Sequence, residues 1–170
     1  MGLVLSRRLF LIGGALLLGC ASGGAQLSSD RMAWRYRELN GGFGSLATWR
    51  GQPLLVHVLA TWSGPALLEV PMLRELHLAG RVRVLCVVVD QEPQTAAIFA
   101  RSFELPYPVV RPDELRRFLG ENGPFGPVSI LPTSLLLDAE GRVVARNEGT
   151  WSPATLRRLL QKIEGPAARE

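Results

Sequence analysis

From residue 58 to 71 the chain reads Val-Leu-Ala-Thr-Trp-Ser-Gly-Pro-Ala-Leu-Leu-Glu-Val-Pro, and the side chains in it that could meet a reactant are Ser63, Ala66 and Glu69. An apolar run leads into Trp62-Ser63-Gly64-Pro65 and a helical pattern follows, so positions 63 and 66 fall at a helix N-terminus. Partial positive charge and unpaired N–H groups there stabilise a thiolate, which is how a Cys-x-x-Cys pair becomes redox-active. This chain has a hydroxyl and a methyl group at the two positions. A serine hydroxyl is scarcely ionised at neutral pH and forms no disulfide, and exchange also needs a second thiol to resolve the mixed disulfide. Nor does Ser63 read as a hydrolytic nucleophile, since no G-x-S-x-G elbow surrounds it. Its plain role is that of an N-cap.

The other reactive side chains are few. The chain has two cysteines, Cys20 and Cys86, and two histidines, His57 and His77. Cys86 lies between Leu85 and Val87 in a β-branched run, where burial raises a thiol's pKa and makes it inert. His57 sits inside an apolar strand and His77 on a helix 20 residues later, without the cysteine pair or H-x-x-E spacing of a metal centre. No metal or cofactor is expected.

The elements that must position the turn can be read in order. Leu39 to Leu46 carries turn signals between apolar residues and reads as a hairpin or loop leading into the fold. Leu54 to Ala60 is a near-continuous apolar run suited to a central strand covered on both faces. A helix over residues 63 to 78 buries Ala66, Val70, Leu73 and Leu76 on one face, with Pro71 interrupting its hydrogen bonding. Residues 81 to 90 form the strongest strand, 91 to 103 a helix, 106 to 110 a loop with a short extended piece, and 112 to 119 a helix with Pro112 in its first turn. After the turn-rich loop 120 to 127 come a hairpin, with strands at 134 to 138 and 142 to 145, and a closing helix over 153 to 163.

These residues carry a resemblance. Thr61, Trp62, Gly64, Pro65, Glu69 and Pro71 match the active-site segment of the TlpA/ResA-like thiol-disulfide oxidoreductases, redoxins of the thioredoxin superfamily, which commonly reads Ala-Thr-Trp-Cys-Gly-Pro-Cys followed by Glu and Pro. Leu131-Pro132-Thr133 resembles the cis-proline loop of that superfamily, 69 residues after Ser63. The resemblance covers residues 39 to 163 and implies a thioredoxin-like α/β fold, a mixed central sheet with helices on both faces. It implies that Trp62, Gly64, Pro65, Leu131, Pro132 and Thr133 line a peptide-binding groove, with the Leu131 backbone pairing to an extended segment as in strand addition. It also implies that Ser63 and Ala66 stand where the redox cysteines were and that Glu69 is the family's proton-handling glutamate, left without thiols to serve. Leu59, Leu67 and Leu68 are the side chains that could fill the groove. Two classes of function follow. One is a redox-inactive protein holding a polypeptide partner, as a chaperone or adaptor; the alternative is a thiol-disulfide oxidoreductase acting through the single Cys86 or with a partner thiol.

The first residues suggest where it works. Ser6-Arg7-Arg8-Leu9-Phe10-Leu11 resembles a twin-arginine export signal, although Ile12 stands where that pattern usually has Lys, which leaves the general secretory route open. The apolar run that follows is too short to span a membrane. Leu17-Leu18-Gly19-Cys20 matches a lipobox, in which Cys20 is the lipid attachment site. The expected layout is a signal peptide over 1 to 19, a lipidated tether and lead-in over 20 to 38, the domain over 39 to 163 and a tail over 164 to 170. The protein would then be lipid-anchored in the bacterial cell envelope, facing the periplasm or extracytoplasmic space. Arg7 and Arg8 account for part of the formal charge of +4 over 170 residues; without them the balance is 17 basic against 15 acidic, which gives no reason to expect nucleic acid.

Overall fold

The structure is a computed structural model, and it describes residues 25 to 163. The signal peptide, the lipobox cysteine Cys20 and the tail lie outside the described residues. In chain order the elements are β1 (Ala25–Gln26), α1 (Ser29–Met32), β2 (Arg35–Arg37), β3 (Phe43–Ser45), a 3-10 turn (Leu46–Trp49), β4 (Leu54–Leu59) and α2 (Gly64–Leu78). Then follow β5 (Arg83–Val88), α3 (Pro93–Ser102), β6 (Val109–Val110), α4 (Leu115–Leu119), β7 (Thr133–Leu137), β8 (Arg142–Glu148) and α5 (Pro153–Ile163).

A six-stranded mixed sheet runs in the order β1-β8-β7-β4-β5-β6, with β4, β5 and β6 parallel and β7 antiparallel to β4. All six residues of β4 are buried, as its unbroken apolar run requires, and the alternation of side chains divides them between two cores. Leu54, Val56 and Val58 face a layer holding Met32, Tyr36, Leu46, Phe118 and Phe125. Leu55 and Leu59 face Ala66, Val70 and Leu73 of α2, Ala96 and Phe99 of α3, and Leu156 and Leu160 of α5. Of the face expected on α2, Ala66, Val70 and Leu73 are buried and Leu76 is half-buried, Glu69 is buried with them, and the helix continues through Pro71.

Several boundaries differ from expectation, each for a physical reason. Residues 25 to 38, read as tether and lead-in, are built into the domain. Ala25 and Gln26 pair with Val143 and Arg142 and so cover the β8 edge, while Leu27 and Met32 enter the core. A second, two-stranded sheet joins β2 to β3, with Tyr36 opposite Gly44. A Cβ at residue 44 would lie 2.6 Å from the Tyr36 ring, so only glycine fits beneath it. Helix α4 starts at Leu115 instead of Pro112, which is buried ahead of it, and β8 extends to Glu148.

Candidate functional site

The carboxyl ends of β4, β5 and β6 and the start of β7 lie at one end of the sheet, since Val58 is in register with both Val87 and Thr133. The Thr61–Pro65 turn and the Leu131–Pro132 loop therefore meet there. Chemistry in open α/β sheets collects at this end, outside the carboxyl ends of the strands.

Asp90, two residues beyond β5, fixes the turn. Its carboxylate accepts the Thr61 N–H at Oδ2 and the Thr61 hydroxyl at Oδ1, both at 2.8 Å. Charge-assisted bonds of this kind are roughly twice as strong as neutral ones. From there the chain bends at Ser63, whose N–H donates to Ala60 O at 3.0 Å and whose carbonyl accepts the first helical bond from Leu67. Ser63 holds the N-cap position of α2, but its side chain makes no capping hydrogen bond, which corrects the role expected of it. Ser63 and Ala66 are both buried, while Gly64 and Pro65 are exposed and the Trp62 side chain is 75% exposed.

The Leu131–Pro132 peptide is cis. Leu131 is half-buried, and among the described residues neither its N–H nor its carbonyl has a hydrogen-bond partner. Pro132 and Thr133 are buried. Thr133 offers no groove surface: its hydroxyl donates to Ile130 O at 2.6 Å and ties the loop down from beneath. Ile130, absent from the expected groove set, is exposed beside it. Of the leucines that could have filled the groove, Leu59 lies in the core, Leu67 is half-buried and Leu68 points to solvent.

Under the first turns of α2 lies a buried polar row. Ser134, His57 and Cys86 are in register across β7, β4 and β5. His57 Nδ1 is 2.8 Å from Ser134 Oγ, and its Nε2 is 3.9 Å from Glu69 Oε2. Glu69 Oε1 accepts the Trp151 N–H at 2.6 Å. The distance would suit a long ion pair, yet burial disfavours the charged form of each partner. It lowers the His57 pKa to about 4 and pushes the Glu69 carboxyl above its usual range, against the opposing pull of the Trp151 N–H. Cys86 is 1% exposed, and burial pushes its thiol far up. Among the described residues, no group of three His, Cys, Asp or Glu is placed to hold a metal ion, and no helix is long and apolar enough to cross a membrane.

The sheet order, the turn at the N-terminus of α2 and the cis-proline loop opposite it define the thioredoxin-like fold. Within that fold the chain is similar to the ResA thiol-disulfide oxidoreductases. It is 29% identical over 132 residues to the thiol-disulfide oxidoreductase ResA of Geobacillus thermodenitrificans, a match spanning 75% of this chain and 72% of that one. Among solved structures it resembles a thiol:disulfide interchange protein of the thioredoxin family from Chlorobium tepidum, with a TM-score of 0.69 at 21% identity, covering 85% of this chain and 99% of that one. It also resembles the exposed lipoprotein thioredoxin Etrx1 of Streptococcus pneumoniae, with a TM-score of 0.61 at 19% identity over 76% of this chain and 98% of that one. No protein-family model matches the chain.

Proposed function

We propose that this redoxin is a non-catalytic, polypeptide-binding protein of the cell envelope, held at the membrane by a lipid on Cys20. One observation carries the reading: the turn, the cis-proline loop and the open Trp62 face are kept, while the positions that would supply both thiols hold Ser63 and Ala66. A polypeptide can still be gripped by the unpaired backbone of Leu131 and the apolar side chains of Trp62 and Ile130, because strand addition and apolar contact need no thiol. The envelope location rests on Ser6–Leu11 and the Leu17–Cys20 lipobox. An oxidoreductase working through Cys86 is disfavoured, because a buried, protonated thiol neither attacks nor is reached.

The test is site-specific photocrosslinking in cells, with the photoreactive residue placed at Trp62 or Ile130 and, as control, at exposed Leu78 at the far end of α2. The expected outcome is a discrete polypeptide adduct from positions 62 and 130 that is missing at 78. Adducts alike at all three positions, or at none, would overturn the reading.

A further inference from the structure

A second recess opens at the same end of the sheet, beside its β6 edge. There the β2–β3 hairpin is fastened to β6 by a bridge between Glu38 and Val110 and by the Leu39 N–H donating to Val109 O at 2.9 Å. Upstream of Glu38 and downstream of Val110 the two chains diverge, and a cleft of about 390 Å³ lies between them. Its inner wall is aromatic. Trp34 stacks at a tilt on Tyr36 and on Phe118, with ring centroids 5.2 and 5.3 Å apart.

The rim carries an excess of guanidinium. Arg31, Arg35, Arg37, Arg111 and Arg117 line the cleft against the carboxylates of Asp30, Asp113 and Glu114. Among the described residues no ion pair joins any of these eight side chains. Arg37 lies 5.7 Å from the centre of the Phe43 ring, and Arg111 donates to the carbonyls of Asp90 and Gln91. The other three arginines have no hydrogen-bond acceptor for their side chains among the described residues. A rim two charges positive over an aromatic wall suits carboxylates, which guanidinium forks grip in two-point fashion, together with an aromatic or apolar side chain.

We propose that this cleft is a recognition subsite for an acidic, aromatic-bearing stretch of the polypeptide held at the Trp62–Leu131 groove. The inference rests on the polypeptide-binding reading above and adds the chemistry of the partner. Two relationships favour a segment of chain over a free anion. From β7, where the groove lies, to β6, where the cleft lies, is three strand spacings, about 14 Å, which four or five extended residues span. Asp90 also links the two places directly: its carboxylate holds Thr61 of the turn, and its carbonyl holds Arg111 of the cleft.

The full chain in detergent micelles is titrated with the peptide Ac-Glu-Glu-Phe-Glu-Glu-NH2, and binding is read from the NMR cross-peak of the Trp34 indole N–H. The expected result is a saturable shift that weakens as sodium chloride is raised. Arg35→Glu with Arg117→Glu, both at exposed positions, weakens it by at least about ten-fold. The Lys-Lys-Phe-Lys-Lys counterpart leaves the signal unmoved. Trp62→Ala keeps the peptide response, so the cleft is tested even if the groove reading fails. No Trp34 response at millimolar peptide, an equal response to the lysine peptide, or full retention in the charge-reversed variant would overturn the proposal. The same shift from acetate or inorganic phosphate at matched concentration would also overturn it, by showing a site for free anions.

Discussion

His57 Nε2 faces Glu69 Oε2 across 3.9 Å of the buried interior, and the two groups pull stability in opposite directions with pH. His57 stays neutral in the folded chain down to about pH 4, whereas the unfolded chain takes up its proton near 6.5. Its contribution, about 3 kcal/mol in full, is present above pH 6.5 and lost as the pH falls through 4. Glu69 has a raised folded pKa, so its contribution is full below the unfolded value of 4.5 and is lost as the pH rises through the folded value. Urea unfolding at pH 7 and pH 5 separates them. Glu69→Gln, which keeps an acceptor for the Trp151 N–H, loses stability on acidification more steeply than the parent. His57→Asn, which can still bond Ser134, gains it. Parallel pH profiles for the two variants would contradict these opposing contributions.

Removing the Asp90 carboxylate should loosen the turn. Asp90→Ala leaves the Thr61 N–H and hydroxyl without their acceptors and is expected to cost about 3 kcal/mol. Asp90→Asn, which retains one acceptor oxygen, should cost clearly less. Urea midpoints for the pair provide the check, and equal costs would mean that the carboxylate acts by something other than accepting both bonds.

Cys86 offers a direct probe of burial. In the native chain a maleimide should label it at least about a thousand-fold more slowly than in the unfolded chain, because reaction must wait for opening. Rapid native labelling would restore the single-cysteine oxidoreductase as the better reading.

Ser63→Cys together with Ala66→Cys should create a redox-active pair, since the strand, turn and helix N-terminus are in place. A thiol at position 63 is expected to titrate below the free value of about 8.5. The variant should reduce insulin disulfides in a turbidity assay where the parent does not. A folded double variant with no turnover would show that the site has changed beyond its two missing sulfurs.

Much of this was legible in the sequence where a local pattern carries it. The apolar run at 54 to 60 suits the doubly covered strand found there, and Trp62–Pro65 with Leu131–Thr133 pointed to the turn and the cis-proline loop that lie at one end of the sheet. What escaped is long-range or too short to show a period. Thr61 and Asp90 are 29 residues apart, and Glu69 reaches the Trp151 N–H across 82. An acid closing an apolar strand was the only sequence signal for Asp90. Two residues of β1 and three each of β2 and β3 are too few for alternation to register, so β1 and β2 read as tether and lead-in and β3 as part of a hairpin or loop. The burial of Thr133 was hidden because the motif names the residue without saying which way its hydroxyl turns.

The pairing of Ala25 and Gln26 with β8 sets the length of a leash. Five residue steps separate Cys20 from Ala25, a contour of about 17 Å at full stretch. The leash is fixed beside Arg142 and Val143, at the end of β8 remote from Glu148, whose partner Thr133 follows the Leu131–Pro132 loop. A lipid on Cys20, as proposed, would hold the domain by its rear at no more than that distance. A polypeptide partner of the kind proposed would then have to lie within roughly one domain's width of the bilayer, as a membrane protein's exposed segment or a chain newly emerged from the membrane does.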